Sequence, residues 1–300
     1  MGGDWRARFL EVLPGARRDE PLARHTTFKI GGPADLFLDA RDCDELLTAL
    51  RLAREARVPV FVLGRGSNLL VKDQGVRGLV LRLAGGFDQV EFLGDGKVRA
   101  GASVRVPQLV VSCAQMGLSG LEPLVGVPGT VGGAVAMNAG TRDGEIGALV
   151  QEVEVVDPIA AELRTLSKSG LQFSYRASSL ANLVVMTATL QLKPGDKGDI
   201  MALVARYQRK RLQTQPIHTF NVGSTFKNPP GRFAAKMIEE LGLKGFAVGG
   251  ARISAMHANF IENFAWATAR DVLALVDLVR GRVRAAFGVD LELEMRVVGE

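Results

Sequence analysis

From Pro123 to Thr141 the chain carries no charged side chain, reading PLVGVPGTVGGAVAMNAGT. An uncharged run of this length suggests a membrane span, which needs about 20 apolar residues. Five glycines (Gly126, Gly129, Gly132, Gly133 and Gly140) and two prolines interrupt this one. Each interior glycine costs a helix about 1 kcal/mol and each proline about 3, so the run is expected to be a loop. An ordinary core segment would use Leu and Ile, because each buried side chain contributes about 1.5–3 kcal/mol. Glycine in their place lets the backbone approach something bulky, and successive N–H groups can form an anion-binding nest. The expectation is a wall against a large flat or anionic ligand, centred on Val127–Gly133.

Composition narrows the class of protein. At 300 residues, 47% hydrophobic and 23% charged, the chain is long enough for two domains with real cores. The charge balance is mildly basic, 37 Lys and Arg against 32 Asp and Glu. No block of like charges concentrates that excess, so the sequence does not read as a nucleic-acid binder. Cys43 and Cys113 lie in helix-like segments with no paired spacing, which favours a reduced cytoplasmic setting. The amino terminus has no apolar stretch of the signal-peptide kind. His25, His218 and His257 are far apart and match no metal-ligand spacing, so no metal is expected.

Strands and helices alternate irregularly. Asp42 with Glu45 reads as a helix start, followed by a buried strand over 58–63. Further strands are expected near 78–83 and 98–102, about a turn at Gly94-Asp-Gly96. A helix over 106–116 stops at Gly117, and strands follow at 152–156 and 183–192. Residues 193–199 read as a linker. Helices are expected over 200–212, 233–241 and 271–287, the last ended by Gly288. Alternation over 289–297 predicts a closing strand, with Val289, Leu291, Leu293, Met295 and Val297 on one face. The pattern argues α+β.

Four polar clusters stand out. Gly64-Arg65-Gly66-Ser67-Asn68-Leu69 follows a strand but lacks the third glycine of a Rossmann loop and any Walker motif. It is either a plain turn or a phosphate cradle. Arg176, after Tyr175, supports no functional claim alone. Ser224 follows Gly223 with Lys227 and Asn228 nearby, and taken alone it reads as a simple turn serine. Periodicity does not separate Glu294 from Glu292 on the same polar face.

Taken in order, these segments resemble the UDP-N-acetylenolpyruvoylglucosamine reductase family. The matching stretches are Thr27-Phe-Lys-Ile-Gly-Gly32, 63–71, 120–140, Tyr175-Arg176, Gly223–Pro229, His257-Ala-Asn-Phe-Ile261 and Glu294–Gly299. The resemblance implies an FAD-binding domain of the vanillyl-alcohol-oxidase (PCMH) type over 27–194, after an amino-terminal segment 1–26. A smaller substrate-binding domain over 195–300 follows. It implies that Gly64, Arg65, Gly66, Ser67, Asn68 and Leu69 hold the FAD pyrophosphate. Pro128, Gly129, Thr130, Gly132 and Gly133, with Asn138, Ala139 and Gly140, would line the rest of the cofactor. Tyr175, Arg211, Lys227, Asn228 and His257 would contact the substrate.

Three catalytic positions carry over: Arg176 from the Tyr-Arg pair, Ser224 from Gly-Ser-x-Phe, and Glu294 as the acid before Met295-Arg296. The family's reaction takes hydride from NADPH through FAD to the enolpyruvyl group of UDP-N-acetylglucosamine enolpyruvate, giving UDP-N-acetylmuramate for peptidoglycan. In that chemistry Arg176 would steady the enolate charge, Glu294 would hold or protonate the enol form, and Ser224 would donate the proton. Another FAD oxidase or dehydrogenase of the same fold, acting on an alcohol, is the alternative. The chain matches the family's shorter form, because Asn182 follows Tyr175 too closely for the extra Tyr-bearing loop. It departs at Asn263-Phe-Ala-Trp-Ala, where a glycine is usual, and at Thr141-Arg-Asp-Gly, where Ala-Tyr-Gly is common. The resemblance implies a cytoplasmic enzyme with no obligate protein partner.

Overall fold

The computed structural model describes residues 4–300. The first three residues of the expected 1–26 segment lie outside the described residues. The chain divides into two compact, interleaved units. One comprises Met1–Arg18, Leu36–Arg65 and Gly78–Lys210, and the other Asp19–Asp35, Gly66–Arg77 and Arg211–Glu300.

The first unit holds a five-stranded antiparallel sheet in the order Glu162–Ser167, Val150–Asp157, Val184–Gln191, Lys97–Gly101, Val90–Gly94. Val153 and Val155 on one strand and Ala188 and Leu190 on the next are buried. Their apolar faces meet two helices that the unit packs against the sheet, Val106–Gln115 and Val131–Ala136. A second core joins the helix Cys43–Ala56 to Leu36, Leu38, Leu79 and Leu81. As the sequence suggests, the Asp42 side chain accepts from Glu45 N at 2.8 Å and starts that helix. Its apolar residues Leu46, Ala49, Leu50 and Ala53 recur at helical spacing and are all buried.

The second unit has a three-stranded antiparallel sheet, Ala247–Val248, Ala251–Ile253 and Ile261–Asn263. Helices Ala234–Glu240 and Ala269–Phe287 cover it. Thr268 and Asp271 cap the long helix reciprocally, and Gly288 closes it at φ 66°.

Several expectations are corrected. The uncharged run is not wholly a loop, because Val131–Ala136 forms a short helix. Gly132 is tolerated there because a Cβ would stand 2.7 Å from the Ala102 Cβ, so close packing on the sheet offsets the helix penalty. Residues 193–199 are no free linker, since Lys193–Pro194 pairs with Leu118–Ser119 and a helix runs from Lys197 to Thr214. The strand expected over 58–63 spans only Val60–Val62 and is partly exposed. The closing strand is three residues long, Arg296–Val298, parallel to Leu69–Val71. The alternation still holds in burial, with Leu291 and Met295 inside. The strand Glu162–Ser167, mostly exposed, has no apolar alternation and went unpredicted.

Candidate active site

Tyr175 and Arg176 form the tip of a hairpin between Phe173–Ser174 and Ala177–Ser178. Arg176 adopts φ 58°, a left-handed conformation that an L side chain other than Gly, Asn or Asp rarely takes. Non-glycine residues held there cost of order 1–3 kcal/mol and cluster at functional sites. The Arg176 side chain is only 15% exposed. Its Nη2 donates to Gly140 O at 2.9 Å, its Nη1 lies 3.7 Å from Glu145 Oε1, and its guanidinium stacks 4.8 Å from the Tyr175 ring centroid.

Two further bonds fasten this hairpin to the end of the uncharged run, and a third ties that run to Glu145. Ser178 Oγ donates to Ala136 O at 2.6 Å, and Asn138 Nδ2 donates to Ser174 O and to Glu145 Oε2, each at 2.8 Å. Asn138 Oδ1 accepts from Gly147 N at 3.0 Å. The Asn138 side chain is therefore spent within the protein.

In the second unit Ser224 follows Gly223, whose φ is 82°. The Ser224 hydroxyl is half-buried and has no hydrogen-bond partner among the described residues. The backbone beside it is held firmly. Thr225 N donates to Asn259 O at 2.8 Å, Phe226 N to Asn259 Oδ1 at 3.0 Å, and Asn259 Nδ2 to Phe226 O at 2.8 Å. Glu294 N donates to Thr225 O at 2.9 Å, which places Glu294 in the adjacent segment.

Environment separates the two acids that periodicity could not. Glu292 is exposed and pairs with Lys227 at 3.2 Å, whereas Glu294 is half-buried. Lys227 is thus shared with a structural partner. Asn228 Oδ1 accepts from Ala234 N at 3.1 Å and caps the helix that begins there.

The Gly64–Leu69 loop has the donor chemistry a diphosphate needs. Among the described residues the N–H groups of Gly64, Arg65, Gly66 and Ser67 have no acceptor, and neither the Arg65 guanidinium nor the Ser67 hydroxyl has a partner. Asn68 Nδ2 instead donates to Glu294 O at 3.0 Å, and Asn68 O accepts from Arg296 N at 2.9 Å. Along the uncharged run Pro128 and Gly133 are exposed, and a Cβ on Gly133 would meet nothing nearer than Thr130 Oγ1 at 3.7 Å. Gly133 is the open position and Gly132 the packed one. Gly132→Val should therefore cost about 1–3 kcal/mol by overpacking, read as a drop in the denaturation midpoint, and Gly133→Ala should be near neutral.

Arg211 is half-buried, and desolvation pulls its pKa below the ordinary arginine value. Among the described residues its guanidinium has no ion pair, which suits an anion. His257 is also held below its usual pKa, chiefly by burial. Asn259 N donates to its Nδ1 at 3.3 Å, leaving the ring proton on Nε2. Because the folded pKa is depressed, the unfolded chain takes up the proton first. The stability contribution of neutral His257 is complete above about pH 6.5 and is lost as pH falls below it. His257→Gln should flatten the melting temperature against pH between about 7 and 5.

Asn259, Glu145 and Thr27 were not singled out from sequence, although each lies in or beside a motif. Thr27 N donates to Gly66 O at 3.2 Å, and Thr27 Oγ1 to Asn221 O at 2.7 Å. Their signal was chemical type beside a motif, which only the fold turns into contacts. Trp266 occupies φ 57° and is 96% exposed in the stretch where the family has glycine.

Among the described residues no group of three or more His, Cys, Asp or Glu side chains could hold a metal ion. Family models match two regions: an FAD binding domain over residues 34–166, and the UDP-N-acetylenolpyruvoylglucosamine reductase C-terminal domain over 215–298. The UDP-N-acetylenolpyruvoylglucosamine reductase 2 of Symbiobacterium thermophilum is 44% identical, over 94% of this chain and 92% of its own. The reductase of an Anaeromyxobacter species is 45% identical, over 99% and 93%. The crystal structure of the reductase from Thermus caldophilus superposes with a TM-score of 0.82 at 40% identity, covering 95% of this chain and 98% of that one. The glucose dehydrogenase Phl p 4.0202, 13% identical, matches 65% of this chain and 45% of its own at a TM-score of 0.50, a likeness of fold alone.

Proposed function

The chain belongs to the UDP-N-acetylenolpyruvoylglucosamine reductase family, and from that premise we propose that NADPH is its reductant and that Arg176, Ser224 and Glu294 carry its chemistry. It is an FAD-dependent oxidoreductase of peptidoglycan synthesis, built from a PCMH-type FAD-binding domain and a smaller carboxy-terminal domain. Its reaction reduces the enolpyruvyl group of UDP-N-acetylglucosamine enolpyruvate to give UDP-N-acetylmuramate.

The residues present fit the cofactor. The donors at Gly64, Arg65, Gly66 and Ser67, unpaired among the described residues, suit its pyrophosphate, and the exposed positions Pro128 and Gly133, with Gly129 between them, suit a flat ring. Leu69, Thr130, Ala139 and Gly140 complete this assignment. Gly132 and the Asn138 and Asn68 side chains shape the lining from behind. When bound, FAD supplies the hydride that the enolpyruvyl carbon receives.

The protein's own residues handle the charge and the proton. Hydride addition to the double bond throws negative charge onto the substrate carboxylate. Arg176 stabilises that charge with a guanidinium that never deprotonates and can offer two parallel N–H donors. Its strained, largely buried presentation is the observation that supports the reading most. Ser224, with its hydroxyl uncommitted inside a rigid frame, gives its proton to the adjacent carbon. Glu294 steadies the enol form. Arg211 and His257, with Tyr175, Lys227 and Asn228 at the edges, hold the rest of the substrate.

No helix among the described residues is long and apolar enough to cross a membrane. A cytoplasmic enzyme working without a protein partner completes the proposal. The deciding experiment follows NADPH oxidation by the purified yellow protein, with and without UDP-N-acetylglucosamine enolpyruvate. Oxidation that needs the enolpyruvyl compound supports the reading. Oxygen consumption with an alcohol, and indifference to the enolpyruvyl compound, would overturn it.

A further inference from the structure

We propose that Glu145, clamped by Asn138, is the positioning residue that sets the Arg176 guanidinium for substrate. This rests on the reading of Arg176 given above. Three segments meet at Asn138: the end of the helix Val131–Ala136, the hairpin of Gly140–Thr141 with Gly144–Glu145, and the hairpin that carries Arg176. Asn138 is 1% exposed and itself adopts a left-handed φ of 48°, which asparagine tolerates better than most residues. Its amide donates to Glu145 Oε2 and to Ser174 O, both at 2.8 Å, and its carbonyl accepts from Gly147 N at 3.0 Å.

This arrangement leaves Glu145 with two oxygens doing different things. Oε2 is fixed by Asn138, and Oε1 faces Arg176 Nη1 at 3.7 Å. On the other side Gly140 O holds Nη2 at 2.9 Å. The guanidinium is therefore bounded by a carbonyl and a carboxylate, both from the hairpin that Asn138 anchors. At 3.7 Å the contact with Glu145 is loose, so its effect is to limit where the guanidinium sits more than to bind it tightly. Such fixing matters because a misplacement of about 1 Å can cost a reaction about 10²-fold.

The test compares Glu145→Ala, Glu145→Gln, Arg176→Ala and the double variant Glu145→Ala/Arg176→Ala as flavin-loaded enzymes. Three quantities are read: flavin bleaching by NADPH, return of colour on adding the enolpyruvyl substrate, and substrate dissociation constant by calorimetry. Glu145→Ala should leave bleaching by NADPH within about twofold while colour return slows by about 10–10²-fold and substrate binding weakens. Glu145→Gln keeps an acceptor for Asn138 and should recover most of that loss. In the Arg176→Ala background Glu145→Ala should add nothing, because residues acting through one another are not additive. Additive losses, or a Gln variant as impaired as the Ala variant, would overturn the positioning role even where Arg176→Ala alone behaves as expected. An Arg176→Ala enzyme with normal colour return would sink the reading of Arg176, and the role of Glu145 with it. Should Glu145→Ala fail to fold, Glu145→Gln and its double with Arg176→Ala carry the same comparison, and a loss in Glu145→Gln that adds to that of Arg176→Ala would overturn the proposal.

Discussion

Ser224→Ala is expected to keep its flavin and to be bleached by NADPH at the normal rate, yet to regain colour with the enolpyruvyl substrate about 10²–10⁴ times more slowly. The reason lies in how Ser224 is held. Its hydroxyl has no partner among the described residues, so removing it breaks no bond of the fold. The peptide that follows it, at Thr225 and Phe226, remains fixed by Asn259 through three hydrogen bonds. Stability should change little, and the loss should fall on the proton-transfer step alone. Glu294→Gln should divide the two steps in the same way. Glu292→Gln should match the native enzyme, because Glu292 is an exposed partner of Lys227. Anaerobic stopped-flow reads both steps from one absorbance trace. Colour return at the native rate in Ser224→Ala would make Ser224 an ordinary turn serine and leave Glu294 or a water as the proton source.

Arg176→Ala should likewise retain flavin while losing about 10²–10³ in the substrate-dependent step, the usual effect of removing a donor from a developing negative charge. Arg176→Lys keeps the charge but not the paired donors, so it should recover only part. A separate signature comes from the backbone. At φ 58° any side chain is strained, so Arg176→Gly should be more stable than Arg176→Ala by about 1 kcal/mol while being equally inactive. Denaturant unfolding of the pair measures that difference. Equal stability would mean that the strain is relieved elsewhere.

Much of this protein was legible from residue order. The helix starting at Asp42, the stops at Gly117 and Gly288, and the long helix ending at Phe287 follow from caps and periodicity. These are short-range signals whose physics lies within a few residues. The short helix Val131–Ala136 was missed because its glycine is favoured by contact with Ala102, about thirty positions away in the chain. The closing strand was overestimated for a related reason. Alternation reports which face is buried, whereas hydrogen-bonded pairing needs a neighbour, and Leu69–Val71 supplies one only for Arg296–Val298.

The same division runs through the site. Sequence alone determined the chemical groups: an uncharged glycine run, a glycine-rich loop at Gly64–Leu69, and Arg176, Ser224 and Glu294 in the order of the reductase family. It could not tell Glu294 from Glu292 by pattern, because both stand on one polar face of the same alternation. Tertiary structure parted them by giving Glu292 an exposed partner in Lys227 and half-burying Glu294. It likewise assigned the Asn138 side chain to the support of Arg176, and Asn228 to a helix cap. A motif records which functional groups are available. Which of them are left free to act depends on where the chain's other donors and acceptors come to lie, since a buried polar group must be paired, and that is decided only when distant segments meet.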